Sequence, residues 1–330
     1  MTAPAAPTPA GADARPLRLG TRRSALAKAQ SQRVADAVAA LAGRPVELVE
    51  ITTYGDTSRA HLARIGGSGV FVTALRDALL RGDVDLAVHS LKDLPTAQPD
   101  DLVVAAVPRR EDPRDALVAR DGLTFAALPD GARVGTGSAR RASQLLAHAR
   151  GHGRAIEIVP VRGNTDTRIG YVREGELDAV VLAAAGLNRL GRSGEVTDIL
   201  SAGTVLPAPG QGALAVECAA VNGDLAALLA ELDDPETRAA VTAERSLLAA
   251  LEAGCSAPVG ALADLLADGQ IVNEMRLRGV VGTPDGSTLV QLSTTGPVPA
   301  SHQHALALGR ELASEMLAKG AAGLMGERAH

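Results

Sequence analysis

The chain has no tryptophan and only four aromatic rings, Tyr54, Phe71, Phe125 and Tyr171, in 330 residues. That excludes base-stacking platforms and aromatic cages, so a flat ligand is not gripped here mainly by ring stacking. Cysteine is equally scarce. Cys218 and Cys255 are too few for a disulfide framework or a Cys-rich metal site, no metal is expected, and a reducing cytoplasm fits best. The longest apolar run, Ala179 to Leu187, falls well short of the ~20 residues that span a bilayer, so no membrane partner is expected. Positive charge is not in excess either: 33 basic against 38 acidic side chains give a net charge of −5, which provides no global footprint for nucleic acid. Any anion must be held locally.

What is present is an ordinary globular composition, 46% apolar. At about 100–200 residues per domain the length predicts two or three domains. Residues 1–16, rich in Ala and Pro, read as a disordered tail rather than a signal peptide. A strand–turn–helix grammar then appears twice. Strand Leu17 to Leu19 is followed by a turn from Gly20, a helix to about Ala42 and strand Val46 to Thr53; a glycine loop, a helix from about Phe71 and strand Asp85 to His89 come next. The second copy runs through strand Arg133-Val134, the turn Gly135 to Arg141, a helix to Arg150, strand Ile156 to Val161, a helix over Thr165 to Glu174 and strand Ala179 to Ala183. Strands alternating with helices predict parallel βαβ units, and two sets predict two α/β lobes.

After Pro207-Ala208-Pro209-Gly210-Gln211-Gly212 the strand Ala213 to Cys218 is expected to return to the first lobe. Strands Met275 to Val281 and Leu289 to Ser293, a turn at Pro284-Asp285-Gly286 and a helical tail predict a small α+β domain. The expected units are 17–112 with 207–230, then 113–206, then 231–330.

Ligands of open α/β sheets sit beyond the carboxyl ends of the strands, and between two lobes those ends line a cleft. The turns there carry Arg22, Arg23, Arg140, Arg141, Arg162, Arg168 and Arg189. Guanidinium forks beside helix N-termini suit a polyanionic ligand, with Arg23 the one expected merely on the surface. Asp93, in His89-Ser90-Leu91-Lys92-Asp93-Leu94-Pro95, is either a general acid/base or stabiliser of a substrate cation, or else a helix cap or an ion pair with Lys92. His89 reads as a strand-end histidine bonded to backbone, and Ser90 lacks a nucleophile elbow. Cys218 reads as inert core, while Cys255 lies in a setting compatible with a reactive thiol or a structural one. Gly135-Thr136-Gly137 does not continue as a dinucleotide fingerprint, there is no Gly-Lys pair for a Walker loop, and His148 and His152 read as surface residues.

Four segments together resemble the hydroxymethylbilane synthase (porphobilinogen deaminase) family: His89 to Pro95, Arg110-Glu111-Asp112-Pro113-Arg114-Asp115-Ala116, Leu206 to Ala213, and Glu252-Ala253-Gly254-Cys255-Ser256-Ala257-Pro258-Val259-Gly260. The resemblance implies two type II periplasmic-binding-protein-like lobes plus a small C-terminal α+β domain in a cytoplasmic monomer. It implies that four porphobilinogen molecules are joined head to tail with loss of ammonia, on a dipyrromethane cofactor held by Cys255 through a thioether, and released by water as hydroxymethylbilane. Asp93 would be the catalytic aspartate. Ser90, Lys92, Thr136, Ser138, Arg140 and Arg141 would bind the cofactor, and Arg22, Ser24, Arg162, Arg168, Arg189, Gln211, Arg64 and Phe71 the substrate. Departures from the family pattern are Arg64 and Ser68 in a loop that usually carries two lysines, Gly137 for a usual serine, Asn188 where Lys is common, and the extra acid Asp166. The competing reading is a non-catalytic two-lobe binding protein for a small polyanion.

Overall fold

The computed structural model describes residues 15–52, 69–253, 257–268 and 271–325. Arg64, Ser68, Cys255, most of the expected tail and the Phe71 side chain lie outside the described residues. The first lobe starts with β1 (Leu17–Thr21), whose Leu17 and Leu19 are buried, and α1 (Ala25–Ala42). Ser24 caps α1 by accepting from the Ala27 amide at 3.3 Å, and Gly43, at φ 62°, ends it. Next come β2 (Val46–Glu50), α2 (Gly69–Leu80), β3 (Leu86–Ser90) and β4 (Leu102–Ala106).

The chain then crosses into the second lobe: β5 (Asp115–Ala119), β6 (Ala132–Gly135), α3 (Ala139–Gly151), β7 (Ile156–Val159), α4 (Thr165–Arg173), β8 (Ala179–Ala183), α5 (Ala184–Arg189) and β9 (Asp198–Leu200). It returns through β10 (Leu214–Ala219) and α6 (Gly223–Ala230). The sheets run β2-β1-β3-β10-β4 and β7-β6-β8-β5-β9, the same order in each lobe. Two α/β lobes of equal strand order are the paired architecture that the resemblance implies.

The expected βαβ units are parallel, β1 with β2 and β3 and β6 with β7 and β8, and further strands make each sheet mixed. β10 runs antiparallel to β3 and β4, and β5 antiparallel to β8 and β9. The reason is the crossing. A strand arriving from the other lobe enters from the cleft, at the carboxyl ends of its neighbours: Leu214 pairs with Ser90, and Asp115 with Ala183.

The third unit comprises α7 (Pro235–Ala250), the antiparallel meander β11 (Val259–Asp268), β12 (Ile271–Gly282) and β13 (Leu289–Pro297), and α8 (His302–Ala318). Leu247, Met275, Leu277, Leu312 and Met316 close its core between helices and sheet. A buried two-point pair fastens it to the first lobe: Arg110 Nη1 and Nη2 donate to the Glu244 carboxylate at 2.7 and 2.9 Å. Among the described residues no helix is long and apolar enough to cross a membrane.

Candidate functional site

β1 and β3 are parallel neighbours, so the turn holding Arg22 and Ser24 and the turn holding Ser90, Lys92 and Asp93 emerge at the same end of the first sheet. In the second lobe β6 lies parallel to β7 and β8, which brings together the Thr136–Arg141 turn, the Arg162–Arg168 segment and α5. The two ends meet through Gln211. Its Oε1 accepts from Lys92 Nζ at 3.3 Å, and its Nε2 donates to Asp115 Oδ1 at 2.8 Å and to the Pro113 carbonyl at 2.7 Å.

Asp115 is fully buried and organises two of the expected ligand arginines. Arg140 Nη1 reaches Oδ2 at 2.8 Å, while Arg141 Nε and Nη2 reach Oδ1 at 3.1 and 2.7 Å. Burial alone would raise the Asp115 pKa, but the two guanidinium groups outweigh it and hold the carboxyl far below its usual range. The remaining bonds of the pair also stay internal: Arg140 Nη1 to the Leu206 carbonyl and Arg141 Nη1 to the Val181 carbonyl. Both arginines therefore set the shape and charge of the cleft wall, with one acid against two cations.

The field there is positive. Burial depresses the Lys92 ammonium to about 8; the nearby Asp93 charge opposes the shift, and Arg141 and Arg140 add to it. Arg168 is likewise lowered by burial and then by Arg141 and Arg162, its Nε donating to the Gly163 carbonyl at 2.9 Å. Asp93 is half-buried, and among the described residues its carboxylate makes no hydrogen bond. It follows Lys92 in a single 3-10 turn, Leu91–Asp93, and the alternative of a capping role has no bond behind it. Ser90 Oγ pairs with the Gln30 amide, 3.1 Å from Nε2, and Thr136 Oγ1 accepts from the Ser138 amide at 3.1 Å. Ser138 in turn caps α3, accepting from the Arg141 amide at 3.4 Å.

Other expected residues lie apart from this cluster. Arg189 is buried where the lobes join, and Nη2 donates to the Gly212 carbonyl. Burial lowers its pKa to about 10, against the pull of Glu111. Arg23 faces Glu50 at 3.6 Å on the surface, as expected. Asp166 pairs with Arg192, and Asn188 Oδ1 accepts from Ser193 Oγ at 2.8 Å. His89 corrects the sequence reading: its partner is no backbone group but the buried Glu217 carboxylate, 3.2 Å away. Cys218 is core, its thiol pushed up to about 11 by burial and by Glu217.

Gly137, read from the resemblance as a departure, sits where a side chain has little room. A Cβ there would lie 2.7 Å from the Val161 carbonyl oxygen, a backbone atom that cannot swing aside. Gly212 is tighter still: at φ 87° a Cβ would fall 2.5 Å from the Glu111 carbonyl oxygen of the opposite crossing. Sequence reasoning gave no role to Asp115, Glu244, Gln30 or Arg245. Their partners are distant in sequence, and only the Arg110–Ala116 motif pointed toward one of them.

Comparison with known proteins agrees with this geometry. The family model "Porphobilinogen deaminase, dipyromethane cofactor binding domain" matches residues 17–227, and "Porphobilinogen deaminase, C-terminal domain" matches residues 238–318. Porphobilinogen deaminase 1 of Streptomyces avermitilis is 80% identical over 95% of this chain and 98% of its own length. The porphobilinogen deaminase of Thermobifida fusca is 58% identical over 93% and 94%, and that of Mycobacterium tuberculosis 54% identical over 94% and 98%. Matches spanning both lobes and the third unit, over a cleft built from the residues above, place this chain in the porphobilinogen deaminase family.

Proposed function

We propose that the chain is a transferase that condenses four porphobilinogen molecules head to tail, one ammonia leaving at each condensation, and releases linear hydroxymethylbilane by hydrolysis. The observation that carries this reading is a cleft of clustered cations with one carboxylate, Asp93, beside Lys92 and without a hydrogen bond among the described residues, in a chain of the deaminase family.

The cofactor of that family fits the residues present. Lys92 faces Asp93, Asp115, Arg140 and Arg141, and Arg141 in turn faces Arg168, beside Arg162, so that five cations stand against two acids; burial, with Arg141 and Arg140, depresses Lys92. A dipyrromethane carries acetate and propionate carboxylates that complete such a balance. Cys255 would hold it through a thioether, with Ser90, Lys92, Thr136, Ser138, Arg140 and Arg141 around it. When bound, it supplies a nucleophilic pyrrole carbon on which the chain grows.

The protein's own part is to bind, orient and move protons. Arg22, Ser24, Arg162, Arg168 and Gln211 would take incoming carboxylates, together with Arg189, Arg64 and Phe71. Asp93 Oδ would accept the pyrrole N–H, stabilise the cation left as the amine departs, and take up the proton lost when the new carbon–carbon bond forms. Its lone pairs, which no described residue engages, suit it to all three tasks. Lys92 and Gln211 steady the wall beside it through their 3.3 Å contact.

The same reading takes the working unit to be a cytoplasmic monomer without nucleic-acid or membrane partners, built from units 17–112 with 207–230, 113–206 and 231–330. The test is direct. Incubation with porphobilinogen followed by acid should yield uroporphyrin absorbance, and intact mass should show one dipyrromethane adduct. A bare chain mass with no uroporphyrin would instead favour a non-catalytic polyanion-binding protein.

A further inference from the structure

Among the described residues no hydrogen bond holds the Asp93 side chain, so the backbone of the Leu91–Asp93 turn sets the base from which its carboxylate projects. Leu91 and Leu94 are buried on either side of Lys92 and Asp93 and anchor the turn to the core below. The Leu91 amide donates to the Ala213 carbonyl at 3.0 Å, and the Leu94 amide closes the turn onto the Leu91 carbonyl at 3.2 Å. Those contacts fix the two ends. The orientation of the peptide planes between and after them depends on where their carbonyls point.

Three of these carbonyls point at one side chain from another unit. Arg245, on α7, donates from Nη1 to the Leu91 carbonyl at 3.1 Å and the Leu94 carbonyl at 2.9 Å, and from Nη2 to the Pro95 carbonyl at 2.6 Å. A guanidinium presents its N–H groups in a rigid plane, so three carbonyls on one fork are locked in direction as well as distance. Charge-assisted bonds of this kind are also about twice as strong as neutral ones. α7 is itself braced against the first lobe one residue earlier, where Glu244 takes Arg110 and also accepts from the Gly210 and Ala263 amides at 2.7 and 3.0 Å. Arg245 therefore acts from a fixed base. It joins the helix that leads toward Cys255 to the turn that carries Asp93.

We propose that Arg245 is a positioning residue for the condensation, acting on the reacting centre through the backbone of the Leu91–Pro95 segment. The inference rests on the reading of Asp93 as the working carboxylate. Arg245 also lines a groove of about 600 Å³ between the first lobe and the third unit, with Leu91, Val107, Val241, Leu306 and Arg238. Truncating its side chain would leave space open to a small cation from solution, which gives the proposal a chemical test.

The experiment compares Arg245→Ala, Arg245→Lys, Arg238→Ala and Asp93→Asn as adduct-bearing enzymes, with intact mass and thermal stability measured beside the kinetics. Arg238 is the control because it lines the same groove and also donates to backbone, at Val104 and Ala105, but does not touch the turn. Arg245→Ala should keep the adduct and lose between about tenfold and about 100-fold in kcat, with KM within about twofold, as expected when a catalytic group is displaced by about 1 Å. Free guanidinium in the buffer should restore part of that loss and should not change Arg238→Ala. Arg245→Lys, with one donor point for three carbonyls, should fall between wild type and Ala, and it keeps the test open if the Ala variant does not fold. Wild-type kcat in Arg245→Ala or Arg245→Lys would overturn the proposal, as would loss of the adduct or a kcat loss that guanidinium leaves unchanged. An active Asp93→Asn enzyme would overturn the reading beneath it instead.

Discussion

Gln211 donates to Asp115 at 2.8 Å, and with its bond to the Pro113 carbonyl at 2.7 Å it ties together the two segments in which the chain passes between the lobes. Asp115 opens the second lobe and Gln211 closes the return, so the cleft's most buried acid is held by residues from both passages as well as by Arg140 and Arg141. Asp115→Asn, equal in size, would leave two buried guanidinium groups without a counter-ion. Breaking one side of a buried pair costs about 3–5 kcal/mol. Urea denaturation should record a loss in that range, and a change below about 1 kcal/mol would show that the arginines find other partners.

The two cysteines should separate cleanly. Cys255→Ser is expected to lose both adduct and activity, while Cys218→Ala, at a buried position in β10, should keep both. Intact mass reads the first outcome and uroporphyrin formation the second. An adduct-bearing, active Cys255→Ser enzyme would remove Cys255 from the mechanism.

Asp93→Asn keeps the shape of the turn and removes the negative charge. It should retain the adduct, since the cations that hold carboxylates are untouched, and turnover should fall by at least about 100-fold, at the low end of what a general acid/base contributes. Near-normal turnover would reduce Asp93 to a surface acid.

Lys92 gives the cleft a basic limit. Because burial depresses its ammonium to about 8, the charge is present below that pH and lost above it. In adduct-free protein, where no cofactor carboxylate pairs with Lys92, the Kd for porphobilinogen should therefore rise between pH 7 and pH 9, with a midpoint near 8. Lys92→Arg carries a charge that does not titrate in this range and should flatten the rise. The same slope in both enzymes would assign it to another group.

Glu217 governs acid stability instead. Burial opposes its ionisation, but His89 and Arg76 outweigh burial and pull it to about 2, Arg76 bonding it at 2.8 and 3.1 Å. A depressed carboxylate stabilises the fold above its unfolded pKa near 4.5, and that contribution disappears as pH falls toward 2. The shift corresponds to roughly 3 kcal/mol. The stability difference between wild type and Glu217→Gln should accordingly shrink from pH 7 to pH 3, and a constant difference would contradict the coupling.

The parallel trio of each lobe was legible because each strand is a short apolar run between a helix stop and a turn, as in Leu86–Ser90 and Ala179–Ala183. Among the antiparallel strands β10 was legible as Ala213 to Cys218, and β12 and β13 as Met275 to Val281 and Leu289 to Ser293, whereas β4, β5, β9 and β11 were not. β5 begins with an acid, Asp115, whose neutralising partners stand on α3, outside any local window. β11, Val-Gly-Ala-Leu-Ala-Asp-Leu-Leu-Ala-Asp, has the Ala and Leu content of a helix, and its strand state comes from pairing along its length with β12. In the site the cationic character was readable, whereas the division of labour was not: Arg140 and Arg141 look like free forks until Asp115 appears between them. Arg245 left no local trace, because its meaning lies in carbonyls at Leu91, Leu94 and Pro95.

The sheet order has a consequence for synthesis. β10 lies between β3 and β4, so the first lobe's sheet is split until residue 219 has been made, and β4 has no neighbour other than β10. The second lobe takes all its strands from residues 115–200. On the ribosome the lobe encoded later is thus the first that can close, and the amino-terminal lobe waits for the downstream strand that completes it.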